Sequence, residues 1–196
     1  MSWKPRPVQL GQARRAVSYV RYNAAKFGIN SEKIAVMGSS AGGHLAALCS
    51  TSKEVFVYDD EDKVSHTDYR PNAQILCYPV TDKESHGGSY ENLIGKDKFG
   101  EYRPRSVNPI ELADKDTPPA FVWHTSSDEI VDVKGTYRYV TRLSELGIPV
   151  EMHIYPVGGH GLGLANGLYG RATEPYVQRW IEDLERWLRL IGFINP

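Results

Sequence analysis

The 196-residue sequence combines 41% hydrophobic residues with 23 basic and 24 acidic side chains, for a formal net charge of −1. This length and apolar content predict one globular domain over residues 1–196. Because the charges are spread along the chain, they exclude the basic footprint of a nucleic-acid-binding protein and give no attraction to an anionic membrane. We therefore expect small, neutral or weakly charged ligands.

Two cysteines, Cys49 and Cys77, lie in apolar segments without the spacing of a metal site or a redox motif. Such cysteines are typical of buried free thiols in a reducing compartment. The first residues, Met1 to Pro7, lack the apolar core of a signal peptide, and no apolar run approaches the length of a membrane span. These features predict a cytoplasmic protein with no membrane partner.

Apolar periodicity predicts alternating helices and strands along the chain. A first amphipathic helix runs from Ala13 to Phe27 and stops at Gly28, before a short strand, Ile34–Met37, and an Ala-rich helix. The later elements are strands Ala73–Val80 and Ala120–His124, a helix with Tyr139, Val140, Leu143 and Leu146 on one face, strand Val150–Tyr155, and a final helix that begins at Thr173 and carries an apolar stripe from Val177 to Ile191. This order predicts an α/β fold with about four parallel strands flanked by helices.

Two connecting segments stand apart from these elements. Lys53–Pro71 carries a run of acidic residues from Asp59 to Asp62 without the glycine and distal glutamate of a calcium loop, so a solvated loop is the expectation. Thr81–Pro118 is too long for an ordinary connection between strands, which favours small helices or a substrate-facing lid.

The junction after the first strand reads Gly38-Ser39-Ser40-Ala41-Gly42, which fits G-x-S-x-G. A serine at such a strand-to-helix junction lies on a strained turn, the nucleophile elbow, with its hydroxyl exposed at the end of the sheet. Small flanking residues let the backbone bend that sharply. The motif therefore predicts Ser40 as a nucleophile.

A serine nucleophile needs a base and an acid, and both are expected at the carboxyl ends of later strands. Asp128 follows the strand that ends at His124, and His160 follows the strand that ends at Tyr155. The chain order Ser40, Asp128, His160 is that of the α/β-hydrolase triad.

Other polar residues near these positions are better explained by structure. Ser39 flanks the turn as a packing position, and Asp132, a rival for the acid role, falls where a carboxylate would cap the next helix. Among the remaining histidines, those in predicted helices and strands are interpreted as structural imidazoles: His44, His124 and His153. His66 and His86 are interpreted as loop residues.

Three segments together resemble a known family: residues 34–46, which contain the elbow, residues 118–125, and the Gly-Gly-His-Gly-Leu run at 158–162. They are similar to bacterial acetyl xylan esterases and related carbohydrate acetyl esterases of the α/β-hydrolase superfamily. The resemblance implies hydrolysis of short acyl esters on sugars, with Ser40 as nucleophile, His160 as general base and acid, and Asp128 as orienting carboxylate. It implies no metal or organic cofactor.

The sequence departs from that family before the first helix, where the expected strands and the His-Gly-Gly oxyanion loop are not found. We therefore expect a truncated, N-terminally incomplete domain, which self-associates or takes up a complementary N-terminal segment. The amide of Ala41 supplies one oxyanion donor. His86-Gly87-Gly88 repeats the string after the wrong strand and is interpreted as a flexible turn. Loss of one donor typically costs about 2.7 to 4 kcal/mol of transition-state stabilisation, so activity would be reduced.

Two alternatives to a sugar acetyl esterase stay open at this point. A serine peptidase of the prolyl-oligopeptidase kind shares the motif and the triad order, and an inactive hydrolase domain would serve in binding or assembly. Aromatic residues beside strand ends could stack on a sugar, although such residues are more often core: Tyr78, Tyr90, Trp123 and Tyr155.

Overall fold

A computed structural model describes residues 8–53, 62–95, 107–168 and 173–195. The Met1–Pro7 segment, Asp59–Glu61 of the acidic run and the centre of the 81–118 segment lie outside these residues. The strands are β1 (Ala35–Ser39), β2 (Ala73–Cys77), β3 (Ala120–Thr125) and β4 (Val150–Tyr155). The helices are α1 (Val8–Tyr22), α2 (Ala24–Phe27), α3 (Ala41–Thr51), α4 (Gly87–Ile94), α5 (Pro109–Leu112), α6 (Val133–Glu145), α7 (Pro175–Gln178) and α8 (Trp180–Leu190).

The strands form one parallel sheet in the order β1-β2-β3-β4, and helices cover both of its faces. Every residue of β2 and β3 is buried, as their continuous apolar sequences predict. Side chains alternate between the faces, so Leu76 and Val122 pack with α3 and α6, while Phe121 and Trp123 pack with α8. The predicted α/β fold with four parallel strands flanked by helices is confirmed.

The register aligns the carboxyl ends of the strands along one edge of the sheet. Ser39 lies beside Cys77, and Cys77 beside Trp123. Thr125 in turn lies beside Tyr155. The segments that follow β1, β3 and β4 therefore leave the sheet at the same end, where the predicted site residues are placed.

Several element boundaries differ from the predictions; the first strand, for example, is Ala35–Ser39 rather than Ile34–Met37. The first helix breaks at Asn23, where both the backbone amide and the side-chain amide donate to the carbonyl of Tyr19. The second strand ends at Cys77 rather than at Val80, because Tyr78 has a positive φ of 37°. The last helix is divided at Arg179, and Ile181 of its predicted apolar stripe is 40% exposed.

The described part of the predicted solvated loop, residues 62–71, is anchored to α1. Arg15 pairs with Asp62, and the hydroxyl of Ser18 donates to the carbonyl of Thr67. Val64 is buried. Within the 81–118 segment the small-helix expectation is met by α4 and α5. No helix of the described residues is both long enough and apolar enough to cross a membrane.

Candidate active site

Ser40 lies between β1 and α3 in a conformation that few residues with a side chain adopt, with φ 56° and ψ −123°. Such a conformation costs on the order of 1 to 3 kcal/mol and persists where neighbouring structure enforces it. Here the Ser40 amide donates to the carbonyl of Cys77, and its carbonyl accepts from the amides of His44 and Val80. These three backbone bonds hold the turn that projects the Ser40 hydroxyl from the sheet.

A continuous chain of side-chain hydrogen bonds joins the three predicted site residues. Ser40 Oγ lies 2.7 Å from His160 Nε2. On the other side of the ring, His160 Nδ1 lies 2.7 Å from Asp128 Oδ2. The structure therefore brings Ser40, His160 and Asp128 together in the order that proton transfer from a serine requires.

The loop that carries His160 is fixed on both sides of the ring. Gly158 adopts a φ of +105°, and its carbonyl accepts a 2.7 Å hydrogen bond from the Ser127 hydroxyl. After the histidine, the amide of Gly163 donates to the Tyr78 hydroxyl. The Tyr78 ring meets the His160 ring edge-on at 5.1 Å. These contacts position the imidazole in front of Ser40.

Asp128 is held as a carboxylate by four hydrogen bonds. Oδ1 accepts from the amides of Ile130 and Val131, each at 2.9 Å. Oδ2 accepts from His160 Nδ1 and, at 3.0 Å, from His124 Nε2. Burial opposes ionisation, but the hydrogen bonds from His124, His160 and the two amides outweigh it and hold the pKa of Asp128 well below its usual range. The group is therefore charged at neutral pH.

The other candidates lie away from this chain of hydrogen bonds. Asp132 caps α6 by accepting from the amide of Lys134, as expected. Ser39 is exposed at the end of β1, which corrects its interpretation as a packing position. His44 is buried, donates from Nε2 to the carbonyl of Val107, and stacks on Tyr90. His153 contacts Glu151 on its own strand.

His86 and the two glycines after it form a helix start, which corrects the prediction of a flexible turn. The His86 side chain accepts from the amide of Ser89, and Gly87 begins α4. This is N-capping, which supplies a partner to an amide that the first helical turn leaves free. His66 lies in an exposed turn as expected.

The structure also reveals a residue whose place in the site was not predicted from the sequence. His124 is interpreted above as a structural imidazole, yet its Nε2 contacts the same Asp128 oxygen as His160. A signal was present in the sequence: a histidine at the end of an otherwise apolar strand, four residues before the acid.

Two small cavities border the site. One, of about 240 Å³, is lined mainly by apolar side chains and includes Ser39 and Gly161, the chain neighbours of Ser40 and His160. The other, of about 250 Å³, includes Ala41. As the first residue of α3, Ala41 has an amide without a carbonyl one helical turn earlier to accept from it. This amide is therefore available to an anion.

The aromatic residues considered as sugar platforms belong to the core. Tyr78, Tyr90, Trp123 and Tyr155 are each at most 7% exposed. Their faces pack against protein, as in the stacking of Trp123 on Trp180.

The fold and the segments that converge on Ser40 define an α/β-hydrolase. A solved structure of this class, the acetyl ester-xyloside bifunctional hydrolase from Caldicellulosiruptor lactoaceticus, is 37% identical and superposes with a TM-score of 0.82 over 95% of this chain and 66% of its own. Residues 2–143 match the BD-FAE family, and the chain belongs to that family.

Curated relatives carry related names. The chain is 35% identical over 160 residues to endo-1,4-beta-xylanase B of Butyrivibrio fibrisolvens, covering 78% of this chain and 24% of the relative. It is 29% identical over 196 residues to the acetylxylan esterase of Xylanibacter ruminicola, covering 95% and 36%. The chain thus spans about a quarter to a third of the length of these relatives. The resemblance to acetyl xylan esterases is confirmed at the level of the family.

Proposed function

We propose that the protein is a serine esterase that hydrolyses short acyl esters, acetyl groups on xylan or other carbohydrates in particular. The observation that carries this proposal is the hydrogen-bonded chain from Ser40 through His160 to Asp128, which ends on a serine held at a strained elbow. The acetylxylan esterase of Xylanibacter ruminicola supports the choice of substrate class. Cavities of about 240 and 250 Å³ beside the site fit a small acyl or alcohol group.

In the first half of the reaction, Ser40 Oγ attacks the ester carbonyl carbon while His160 Nε2 takes the hydroxyl proton. The carbonyl oxygen becomes an oxyanion, to which the Ala41 amide donates. Asp128, ionised because of its four hydrogen bonds, stabilises the imidazolium through Nδ1. The tetrahedral intermediate collapses as His160 returns the proton to the sugar oxygen, which leaves an alcohol and an acyl-serine.

In the second half, His160 Nε2 takes a proton from water, whose oxygen attacks the acyl carbon. Collapse of this second tetrahedral intermediate expels Ser40 Oγ, which recovers its proton from His160. The acid is released, and the enzyme returns to its starting state.

The two cysteines support a reducing compartment, such as the cytoplasm, as the site of this activity. Both Cys49 and Cys77 are buried and unpaired in disulfides. Burial raises the pKa of each thiol to about 12, which suppresses the reactive thiolate.

The test is turnover of p-nitrophenyl acetate and of acetylated xylan, beside a prolyl peptide amide. We expect release of acetate that Ser40→Ala abolishes and that Ser144→Ala, at an exposed serine in α6, preserves. Preferential cleavage of the amide would replace the proposal with a peptidase. Absence of turnover of every substrate would leave an inactive domain with a binding or assembly role.

A further inference from the structure

His124 is a buried histidine with both ring nitrogens engaged. Its side chain has no exposed surface. Nε2 lies 3.0 Å from Asp128 Oδ2, and Nδ1 lies 2.8 Å from Thr136 Oγ1 on α6. Thr136 is itself fully buried. The ring therefore connects the end of β3, the loop that carries Asp128, and the start of the following helix.

The chemistry of Asp128 decides which proton His124 carries. An ionised carboxylate accepts hydrogen bonds and cannot donate them. His124 must therefore present an N–H at Nε2, and in the neutral ring Nδ1 is left as an acceptor for the Thr136 hydroxyl. The Thr136 hydroxyl, which can donate as well as accept, supplies the proton for this second hydrogen bond, so both ring nitrogens are paired.

Each carboxylate oxygen of Asp128 accepts two hydrogen bonds, and the pair on Oδ1 differs from the pair on Oδ2 in what it fixes. Those on Oδ1 come from the amides of the loop itself and move with it. On Oδ2, His124 supplies a donor from the rigid end of a buried strand, beside the donor from His160. His124 is the contact through which the sheet fixes the direction of the oxygen that faces His160.

We infer that His124 is a positioning residue, which holds Asp128 Oδ2 in line with His160 Nδ1 and is itself held by Thr136. The inference rests on the proposed function for its effect on turnover. Its structural content, the alignment of Asp128 with His160, can be measured without turnover. A misaligned acid lowers the population of productive His160 rings without altering the substrate cavities, so kcat falls while KM stays.

The test compares two substitutions of similar size. His124→Gln keeps an N–H that reaches Asp128, whereas His124→Leu removes it and leaves a buried carboxylate oxygen with one donor fewer. For p-nitrophenyl acetate we expect His124→Leu to lower kcat at least tenfold with KM within about twofold, and His124→Gln to restore most of kcat. Thr136→Val, which does not touch Asp128, is expected to give an intermediate loss of kcat and decides the question if His124→Leu does not fold.

A second readout is independent of turnover. The Nδ1 proton of His160, hydrogen-bonded to Asp128, should give a far-downfield proton NMR resonance, assigned by its disappearance in His160→Gln. We expect this resonance in the parent and in His124→Gln, and its loss or shift in His124→Leu. An unchanged resonance, or equal kcat for the Leu and Gln variants, would overturn the positioning role. An inactive parent that shows the expected resonance pattern would instead contradict the proposed function alone.

Discussion

Gly38 and Gly42 approach each other so closely that a Cβ on Gly38 would lie 2.1 Å from the carbonyl oxygen of Gly42. The end of β1 and the first turn of α3 are therefore in direct backbone contact, with no room for a side chain between them. A Cβ on Gly42, in contrast, would have no heavy atom within 4 Å apart from its chain neighbours and the backbone of its own helix. The two glycines of the G-x-S-x-G motif have different physical roles, although the motif treats them alike.

This difference between Gly38 and Gly42 predicts different effects on the unfolding free energy when each glycine is replaced by alanine. Gly38→Ala should cost more than about 3 kcal/mol of unfolding free energy, because the colliding atom is backbone that cannot rotate away. Gly42→Ala should be neutral or slightly stabilising, since alanine is the better helix former. Denaturant unfolding of both variants checks this, and equal destabilisation would contradict the steric argument.

The two candidate acids should respond differently to the same change. Asp128→Asn removes the charge that faces His160 and should lower esterase kcat toward the roughly 10⁴-fold loss known for a triad acid. Asp132→Asn should change kcat by less than about threefold, because asparagine caps a helix as well as aspartate does. Steady-state kinetics of both variants decide between them. A larger loss in Asp132→Asn would move the acid role to that residue.

A fluorophosphonate should label Ser40 alone. Nucleophilic attack needs a base within hydrogen-bond reach, and Ser40 Oγ has His160 Nε2 at 2.7 Å. The hydroxyls of Ser126 and Ser127 donate to backbone carbonyls instead. Mass spectrometry of the labelled peptide locates the adduct, and His160→Gln should suppress labelling. A label on Ser39, Ser126 or Ser127 would contradict the assignment.

His44 should make stability depend on pH in a defined window. Burial lowers the pKa of His44 from 6.5 to about 4, against the opposing effect of its hydrogen bond to Val107. Between these values the unfolded chain binds a proton that the folded chain does not. Stability is therefore fully present above pH 6.5 and falls by about 1.4 kcal/mol per unit as the pH drops toward 4.

The matched variant is His44→Gln, which keeps an N–H for the Val107 carbonyl and cannot be protonated. Between pH 7 and pH 4.5, the unfolding free energy measured in urea should fall by about 3 kcal/mol more in the parent than in the variant. His66→Gln, at an exposed histidine, is the control and should follow the parent. Parallel curves for the parent and His44→Gln would show that folding does not lower the pKa of His44.

Apolar patterning was sufficient to predict the centre of the sheet, because β2 and β3 bury both faces and so appear as nearly continuous apolar runs. The helix breaks at Asn23 and Arg179 were not predicted, because the apolar spacing of the sequence continues across both of them.

The site, like the fold, has residues that the sequence predicts and residues that it does not. Ser40, Asp128 and His160 follow motif and strand-end rules, which a sequence contains. His124 acts through a contact between a strand end and a loop four residues further on, and Thr136 meets it only because α6 folds back over β3. The contacts of His124 with Asp128 and Thr136 depend on tertiary packing, which cannot be predicted from the sequence pattern alone.

The exposed edge of β1 leads to the last prediction, self-association. In the described sheet β1 pairs with β2 on one side, and Met37 in its centre is 55% exposed. The opposite edge strand, β4, carries the charged Glu151 and the polar His153, and a charged side chain on an edge strand opposes pairing. We therefore expect chains to associate through β1 rather than through β4, or to take up in its place an added segment that carries a strand and His-Gly-Gly.

Sedimentation velocity over a range of concentrations tests this with two matched variants. Met37→Lys places a charge on the β1 edge and should shift the protein to monomer, whereas Met152→Lys, at a 39% exposed methionine of β4, should leave association unchanged. The added segment should compete with association, and ester turnover should rise if its His-Gly-Gly supplies an oxyanion donor beside the Ala41 amide. A parent that stays monomeric at every concentration and does not respond to the segment would show that the β1 edge is already protected. Equal effects of the two lysine variants would show instead that association does not select β1.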